Sequence, residues 1–397
     1  MMSVWSSLVG QDAAVAKLSE AAASARAIVA SRGSGRATDE ARSMSHAWLI
    51  TGPPGSGRSV AARAFAAALQ CTGETPGCGA CPGCRTTMGR TNADVLFAAT
   101  ETSIINVDTA RSLVLQAQSS PSQGLWRVIV VEDADRLGES GANALLKAIE
   151  EPPEHTVWLL CAPSPEDMIA TIRSRCRHLG LRIPTATAVA DLLVREGIAT
   201  PEVALEAARA AQSHIGLARA LARDPQMRER RRSIITAPAS VRSVGEAVMA
   251  ADRLLETAKA QADAQVSDRN AREKADLLRQ LGMEESENAT KASRTMLRQL
   301  EEDQKRRSKR ALTDAIDRAL IDLLAIYRDI LMVQVGGDGE LINTDLSELV
   351  HQIAHDSTPH QTLARVDHIE TARKRLVANG NPLLVLEDMA ISLRPQA

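Results

Sequence analysis

The stretch Gly52-Pro53-Pro54-Gly55-Ser56-Gly57-Arg58-Ser59 follows an apolar run, His46 to Ile50, and leads into an alanine-rich segment. Its glycine spacing and terminal hydroxyl are those of a phosphate-binding loop, with arginine where that motif has lysine. In a working loop, backbone N–H groups and the following helix N-terminus cradle the phosphates. The hydroxyl holds Mg²⁺ and the lysine reaches the β- and γ-phosphates as a compact charge. Guanidinium is planar and wider, so Arg58 is not a conservative replacement. The sequence therefore predicts a nucleotide-binding architecture, with Gly52, Gly55, Gly57, Arg58 and Ser59 at the phosphates. It also predicts that ATP and Mg²⁺ are held weakly or not at all.

Working outward, short apolar runs alternate with helical stretches from Leu8 to about Arg177: His46–Ile50, Arg127–Val131 and Thr156–Cys161 are strands in this reading. Strand, loop and helix in repetition imply a parallel α/β sheet with its ligand at the carboxyl ends of the strands. The second of these runs continues into Glu132-Asp133. An apolar strand ending in two acids is the form that holds Mg²⁺ and polarises water, although the usual order is Asp then Glu. The alternative is a buried strand with solvated acids at its end. Beyond Pro184 the pattern turns helical, and Ile316, Leu320, Leu323, Tyr327 and Ile330 make one apolar stripe. The fold expected is an α/β domain followed by an all-α half.

Four of the six cysteines, Cys71, Cys78, Cys81 and Cys84, are spaced C-x6-C-x2-C-x2-C with glycines and prolines between them. Four thiolates match the tetrahedral demand of a structural zinc, and a closed set leaves no open position for catalysis. Disulfides are the alternative, disfavoured in a cytosolic chain. Cys161 and Cys176 stand apart and are expected to pack as small hydrophobes. A charged stretch from about Lys259 to Arg310 lacks proline, with Gly282 its expected break. It reads either as a solvated long helix or partly disordered insertion, or as an arm that binds DNA or a partner.

Composition narrows the function classes. The 397 residues suffice for roughly two or three domains. A formal net charge of -2 gives no global basic field, so nucleic acid would be met by a local patch. Aromatics at 2% argue against a single-strand binder built on base stacking. No apolar run reaches about 18 residues, and no signal-peptide core opens the chain, so a cytoplasmic protein without membrane contact is expected.

Several segments together resemble the bacterial DNA polymerase III clamp loader, a family of AAA+ proteins. They are Leu8-Val9-Gly10-Gln11, His46-Ala47-Trp48, the four-cysteine module, Ser120-Pro121 through Arg127, Asn143 to Lys147 with Glu150-Glu151-Pro152-Pro153, and Ser174-Arg175-Cys176. The resemblance is strong over residues 1 to 230 and weaker in the C-terminal helices. It implies an AAA+ domain at 1–178 with the zinc module at 71–84, a small helical lid at 179–230, and a helical collar at 231–397 carrying the charged insertion. Within the family, arginine in the loop points to the delta prime type, whereas the gamma/tau ATPase keeps lysine.

The resemblance further implies that Arg175 is an arginine finger, reaching the γ-phosphate bound by a neighbouring subunit. Arg219, in His214 to Arg219, matches the sensor 2 arginine of the lid. The sensor 1 position falls on Cys161-Ala162-Pro163-Ser164, where the usual polar residue is missing, and Asn379 to Leu386 resembles the end of the collar. The implied partners are gamma/tau and delta subunits in a hetero-pentamer, a sliding clamp, and primed DNA met through its phosphates. The chain would be a non-hydrolysing stator within the polymerase holoenzyme. Two other readings stand beside this one. In the first the chain is itself an active ATPase, which Arg58 and the inverted acids disfavour. In the second it is a zinc-ribbon nucleic-acid module, against which only Arg85 and Arg90 lie near the cysteines.

Overall fold

The computed structural model describes residues 3–31, 43–98, 105–281 and 291–394. The chain divides into two compact units, Met1–Arg219 and Ala220–Ala397. The N-terminal unit opens with α1 (Asp12–Ala30), β1 (Ala47–Thr51), α2 (Arg58–Leu69), α3 (Pro82–Met88) and β2 (Val95–Ala98). It continues through α4 (Val107–Ala117), β3 (Arg127–Val131), α5 (Glu139–Glu150), β4 (Thr156–Ala162), α6 (Ala170–Arg173) and β5 (Arg177–Gly180). Three helices follow: α7 (Ala186–Arg195), α8 (Pro201–Ala210) and α9 (Ile215–Arg223).

All five strands are parallel, in the order β2-β3-β4-β1-β5. Successive side chains on a strand point to opposite faces, and both faces are covered. Trp48, Ile50, Val128, Val130, Val157 and Leu159 pack with α1 and α2. Leu49, Ile129, Val131, Trp158 and Leu160 pack with α4 and α5 on the other side. Every residue of β1 and β4 is buried, which is why these strands read as unbroken apolar runs. The edge strands are less covered: β2, Val-Leu-Phe-Ala, is fully buried only at Val95, and β5 carries no apolar run. Arg177, His178 and Gly180 of β5 are exposed, and charged edge strands of this kind discourage pairing with another chain.

Asp94, fully buried just before β2, ties down the loop that leads into β3. Its carboxylate accepts from the N–H groups of Ser122 (2.6 Å), Gln123 (2.7 Å) and Gly124 (2.5 Å), and from Ser122 Oγ (2.9 Å). Gln70, at the end of α2, fixes the next two residues: Nε2 donates to Trp126 O at 2.5 Å and Oε1 accepts from Leu125 N at 3.1 Å. A Cβ at Gly124 would lie 2.1 Å from Gln70 Oε1, so a side chain there would push Gln70 out of these two bonds.

The C-terminal unit consists of α10 (Pro225–Ser240), α11 (Val244–Gln280), α12 (Lys291–Gln334), α13 (Ser347–Asp356), α14 (Pro359–Val377) and α15 (Pro382–Ser392). The apolar stripe of α12 is buried from Ile316 through Ile330 and forms its core with Val350, Ile369 and Leu386. Two buried polar clusters there are paired. Asp329 accepts from Asn343 N at 2.8 Å and Ile342 N at 3.0 Å, while Arg231 reaches Asp322 at 3.1 Å and Asn343 at 2.7 Å. The charged stretch is helical on both sides of Gly282, which itself lies outside the described residues. Its seam is small and mixed: Ala262, Val266 and Ala311 are buried, and Arg307 donates to Asn270 Oδ1 at 2.7 Å and Glu273 at 2.8 Å. Asn379 ends α14 in a left-handed conformation and Asn381 caps α15, accepting from Leu383 N at 3.0 Å.

Burial alone would raise the Asp94 carboxyl, but the backbone N–H groups of Ser122, Gln123 and Gly124 outweigh it and hold it below the usual carboxylate range. A depressed folded value contributes stability above the unfolded pKa of about 3.9, and that stability is lost as pH falls through the folded value. Urea unfolding of Asp94→Asn should show a loss of about 1–3 kcal/mol at neutral pH. The gap from wild type should narrow as the pH falls below that of ordinary carboxylates. Equal stability at neutral pH would contradict this account of the loop.

Candidate functional site

The parallel sheet sets the carboxyl ends of β1, β4 and β3 side by side on one edge, the place where open α/β sheets bind ligands. The phosphate-type loop leaves β1 there, anchored by Gly52 N donating to Pro163 O at 3.1 Å. Gly55 and Gly57 take φ of 88° and 90°, a left-handed conformation that suits glycine. A Cβ at Gly55 would stand 2.9 Å from His214 Cα, so His214 closely backs the loop. Gly57 caps α2, which puts Arg58 and Ser59 in the first turn of that helix. Beneath, buried Gln11 donates through Nε2 to Ser56 O (3.3 Å) and Arg182 O (2.5 Å), and its Oε1 accepts from Arg182 N (3.2 Å).

Glu132 and Asp133 follow β3 at the same edge, so the topology brings the loop and both acids together. Asp133 begins a 3₁₀ turn over Ala134–Arg136, its carbonyl accepting from Arg136 N at 3.0 Å. Glu132 Oε1 accepts from Arg90 Nη2 at 2.5 Å, and its side chain is only 14% exposed. Arg90 also lies over the Phe97 ring, 5.0 Å from its centroid. Arg58 Nη1 is buried without a hydrogen-bond partner among the described residues, as are Ser56 Oγ and Arg63 Nε. The Arg63 guanidinium is held below its usual range first by burial, then by the charge of Arg90, with Glu132 opposing. Burial also raises the Asp135 carboxyl, and the neighbouring Asp133 charge adds to it.

Cys161, in β4, is fully buried, and burial pushes its thiol up to about 12. Cys176 packs half-buried beside α5 and α6, its thiol likewise pushed to about 12 by burial. Ser164 caps a short turn by accepting from Glu166 N at 3.1 Å. Arg219 is held by Glu196 through two bonds of 2.7 and 2.6 Å, the first cause of its raised pKa. Arg175 stands apart from the loop, just beyond α6. Its guanidinium donates to Thr171 O at 2.8 Å and pairs with Glu150 at the end of α5, and its side chain is 39% exposed.

The four cysteines form a second centre. Their Sγ atoms all lie within 4.8 Å of one another, and Cys71 Sγ and Cys81 Sγ are 3.8 Å apart. Four sulfurs at about 2.3 Å from a zinc ion in a tetrahedron stand about 3.8 Å from each other, so the set fits such an ion. All six cysteines are free, and a disulfide would need about 2.05 Å. The turns that gather the thiols are knuckles. Cys81 N and Cys84 N each donate at 3.4 Å to the sulfur three residues back, and Gly77 and Gly79 take positive φ. Burial opposes ionisation of Cys81, but N–H donors from Cys84 and Thr72 bring its thiol down to about 6. Arg26 of α1 holds the module from outside, donating to Cys71 O at 2.9 Å and Glu74 O at 2.6 Å.

Three residues that shape these centres, Gln11, Arg26 and Arg90, carry no motif role in the sequence. Only Gln11 had a signal there, a glutamine in the Leu8–Gln11 segment of the family resemblance.

The chain is similar to several known proteins. Residues 36–185 match the family described as DNA polymerase III, delta subunit. The gamma/tau subunit of DNA polymerase III from Mycobacterium tuberculosis (strain H37Rv) is 36% identical over 162 residues, covering 39% of this chain and 28% of that protein. The delta' subunit from Escherichia coli K12 is 34% identical over 182 residues, covering 44% of this chain and 54% of that one. The chain thus spans about a quarter and about half of the length of these two relatives. A DNA polymerase III gamma subunit-related protein from Thermotoga maritima superimposes with a TM-score of 0.42 and 17% identity, over 88% of this chain and 93% of that one. Over residues 36–185 the chain is thus similar to the family described as DNA polymerase III, delta subunit, and in sequence it is similar to parts of the delta' and gamma/tau subunits of that polymerase.

Proposed function

We propose that the chain is a clamp-loader subunit of the delta' type: it hydrolyses no ATP itself and donates Arg175 to the nucleotide site of a neighbouring subunit. The observation that carries this reading is Arg58, at the first turn of the loop helix where a hydrolysing loop has lysine. The Glu132-Asp133 order, inverted from the usual one, supports it. So does the partial exposure of Arg175, whose bonds to Thr171 O and Glu150 are ones a phosphate group can replace. An arginine supplied in trans stabilises the charge that builds on a transferring phosphoryl group, by a factor of about 10³ to 10⁵ in related enzymes. A subunit with an idle loop can in this way control turnover next door.

In this reading the partners are gamma/tau and delta subunits in a hetero-pentamer, with a sliding clamp and primed DNA as the objects acted on. Duplex contact would run along phosphates without base readout. The four cysteines hold one structural zinc, which anchors α3 to the sheet domain. A second reading, an active ATPase of gamma/tau type, is favoured by the 36% identity to a gamma/tau subunit. Arg58 weighs against it.

Metal content tests the zinc assignment. The purified chain should carry about one zinc per molecule, and Cys78→Ser or Cys81→Ser should lower both metal content and melting temperature. A chain free of metal that melts as cooperatively as a zinc-loaded sample would refute it. Turnover tests the functional proposal. Alone, the chain should hydrolyse no ATP above background. Added to gamma/tau and delta subunits with clamp and primed DNA, it should raise their turnover. Hydrolysis by the isolated chain, or no response from the mixture, would contradict the proposal.

A further inference from the structure

We propose that Arg90, delivered by the cysteine module, holds Glu132 and thereby closes the phosphate loop to a metal-bound nucleotide. The inference deepens the proposed non-hydrolysing role and rests on that reading for its meaning. The donor set does not fit Mg²⁺ and nucleotide as it stands. The acid at the end of β3, the one a magnesium ion beside the loop would need, already accepts from Arg90 Nη2 at 2.5 Å. Arg58 and Arg63 each have a buried nitrogen lacking a hydrogen-bond partner among the described residues; the Arg63 charge is felt by Glu132 and Arg90, and that of Arg58 by Asp135. A divalent ion would therefore have to displace one cation and tolerate others.

The backbone at Arg90 is built for this contact. It follows α3 with φ of 58°, and Thr91 N donates to Thr86 O at 2.8 Å, a helix ending whose left-handed position usually belongs to glycine. An arginine accepts that conformation here while its guanidinium stacks on Phe97 and bonds Glu132. The helix that presents it begins in the thiol cluster: Cys81 caps α3 and Cys84 lies in its first turn. Gly83 fixes α3 against the end of α2, since a Cβ there would stand 2.0 Å from Gln70 O. The loop helix and the arginine that blocks its acid are thus parts of one packed unit.

The test is binding of a fluorescent ATP analogue to the full chain, with Mg²⁺ or with EDTA, in four variants: Arg58→Lys, Arg58→Lys/Arg90→Met, Arg58→Lys/Arg90→Lys, and Arg58→Lys/Arg90→Met/Glu132→Gln. Methionine keeps the packing over Phe97, and Arg90→Gln serves as a second neutral replacement should the Met variant lose its near-ultraviolet signal. Removing the Arg90 charge should raise affinity at least about tenfold over Arg58→Lys alone, in Mg²⁺ only. The Arg90→Lys variant should resemble Arg58→Lys, and Glu132→Gln should abolish the gain. Equal affinity with and without Arg90, a gain that survives EDTA, or no binding by any variant would overturn the proposal. Each of those results would leave the turnover test of the subunit's role unaffected, because that test uses the wild-type chain.

Discussion

A parallel sheet persists in water only when helices cover both of its faces, and covering both faces requires every crossover to return to the same end. In this protein that constraint collects the exits of β1, β3 and β4 on one edge. The phosphate-type loop, the acid pair and the cysteine module all depend on it. The loop is the exit of β1, the acids are the exit of β3, and the cysteines occupy the connection between α2 and β2. Asp94 and Gln70 then pin the segment before β3 from below, so the acids are positioned by a loop with its polar groups satisfied.

Charge decides what this edge can do. A site for metal-bound nucleotide presents acids to the metal and one compact cation to the phosphates. Here Arg58 is buried in the first turn of the loop helix, Arg63 lies near Arg90 and Glu132, Glu132 is already bonded to Arg90, and Arg219 is taken by Glu196. Arg175, by contrast, lies at the surface in a shallow ion pair with Glu150. Exposed pairs of this kind are worth about 0–1 kcal/mol, so exchanging Glu150 for a partner's phosphate costs little. The fold thus retains the architecture of a nucleotide-type loop, and under the proposed reading its groups serve a neighbour's site in place of turnover of its own.

The parts legible in the sequence are those where one physical demand acts alone. β1, β3 and β4 showed as unbroken apolar runs because both of their faces are covered, and the α12 stripe showed because one helix face is. The cysteine spacing was legible because tetrahedral ligation needs close knuckles. β5 was not, since this edge strand mixes polar and apolar residues and Leu179 is its one buried residue, and β2 was not because its apolar run is only four residues long. The seam of α11 and α12 escaped notice because alanines and an arginine carry it. The ties made by Gln11, Arg90 and Arg26 join residues 45 or 42 apart in the chain or more, and no local pattern encodes such a meeting.

The central claim is that this chain completes a site it does not own. Substitution of Arg175 in the assembled loader tests it most directly: ATP turnover with clamp and primed DNA, compared between wild type and Arg175→Ala, with assembly checked by size-exclusion chromatography. The account predicts intact assembly and a fall in turnover on the order of 10² or more at the neighbouring site. Unchanged turnover in an intact assembly would contradict it.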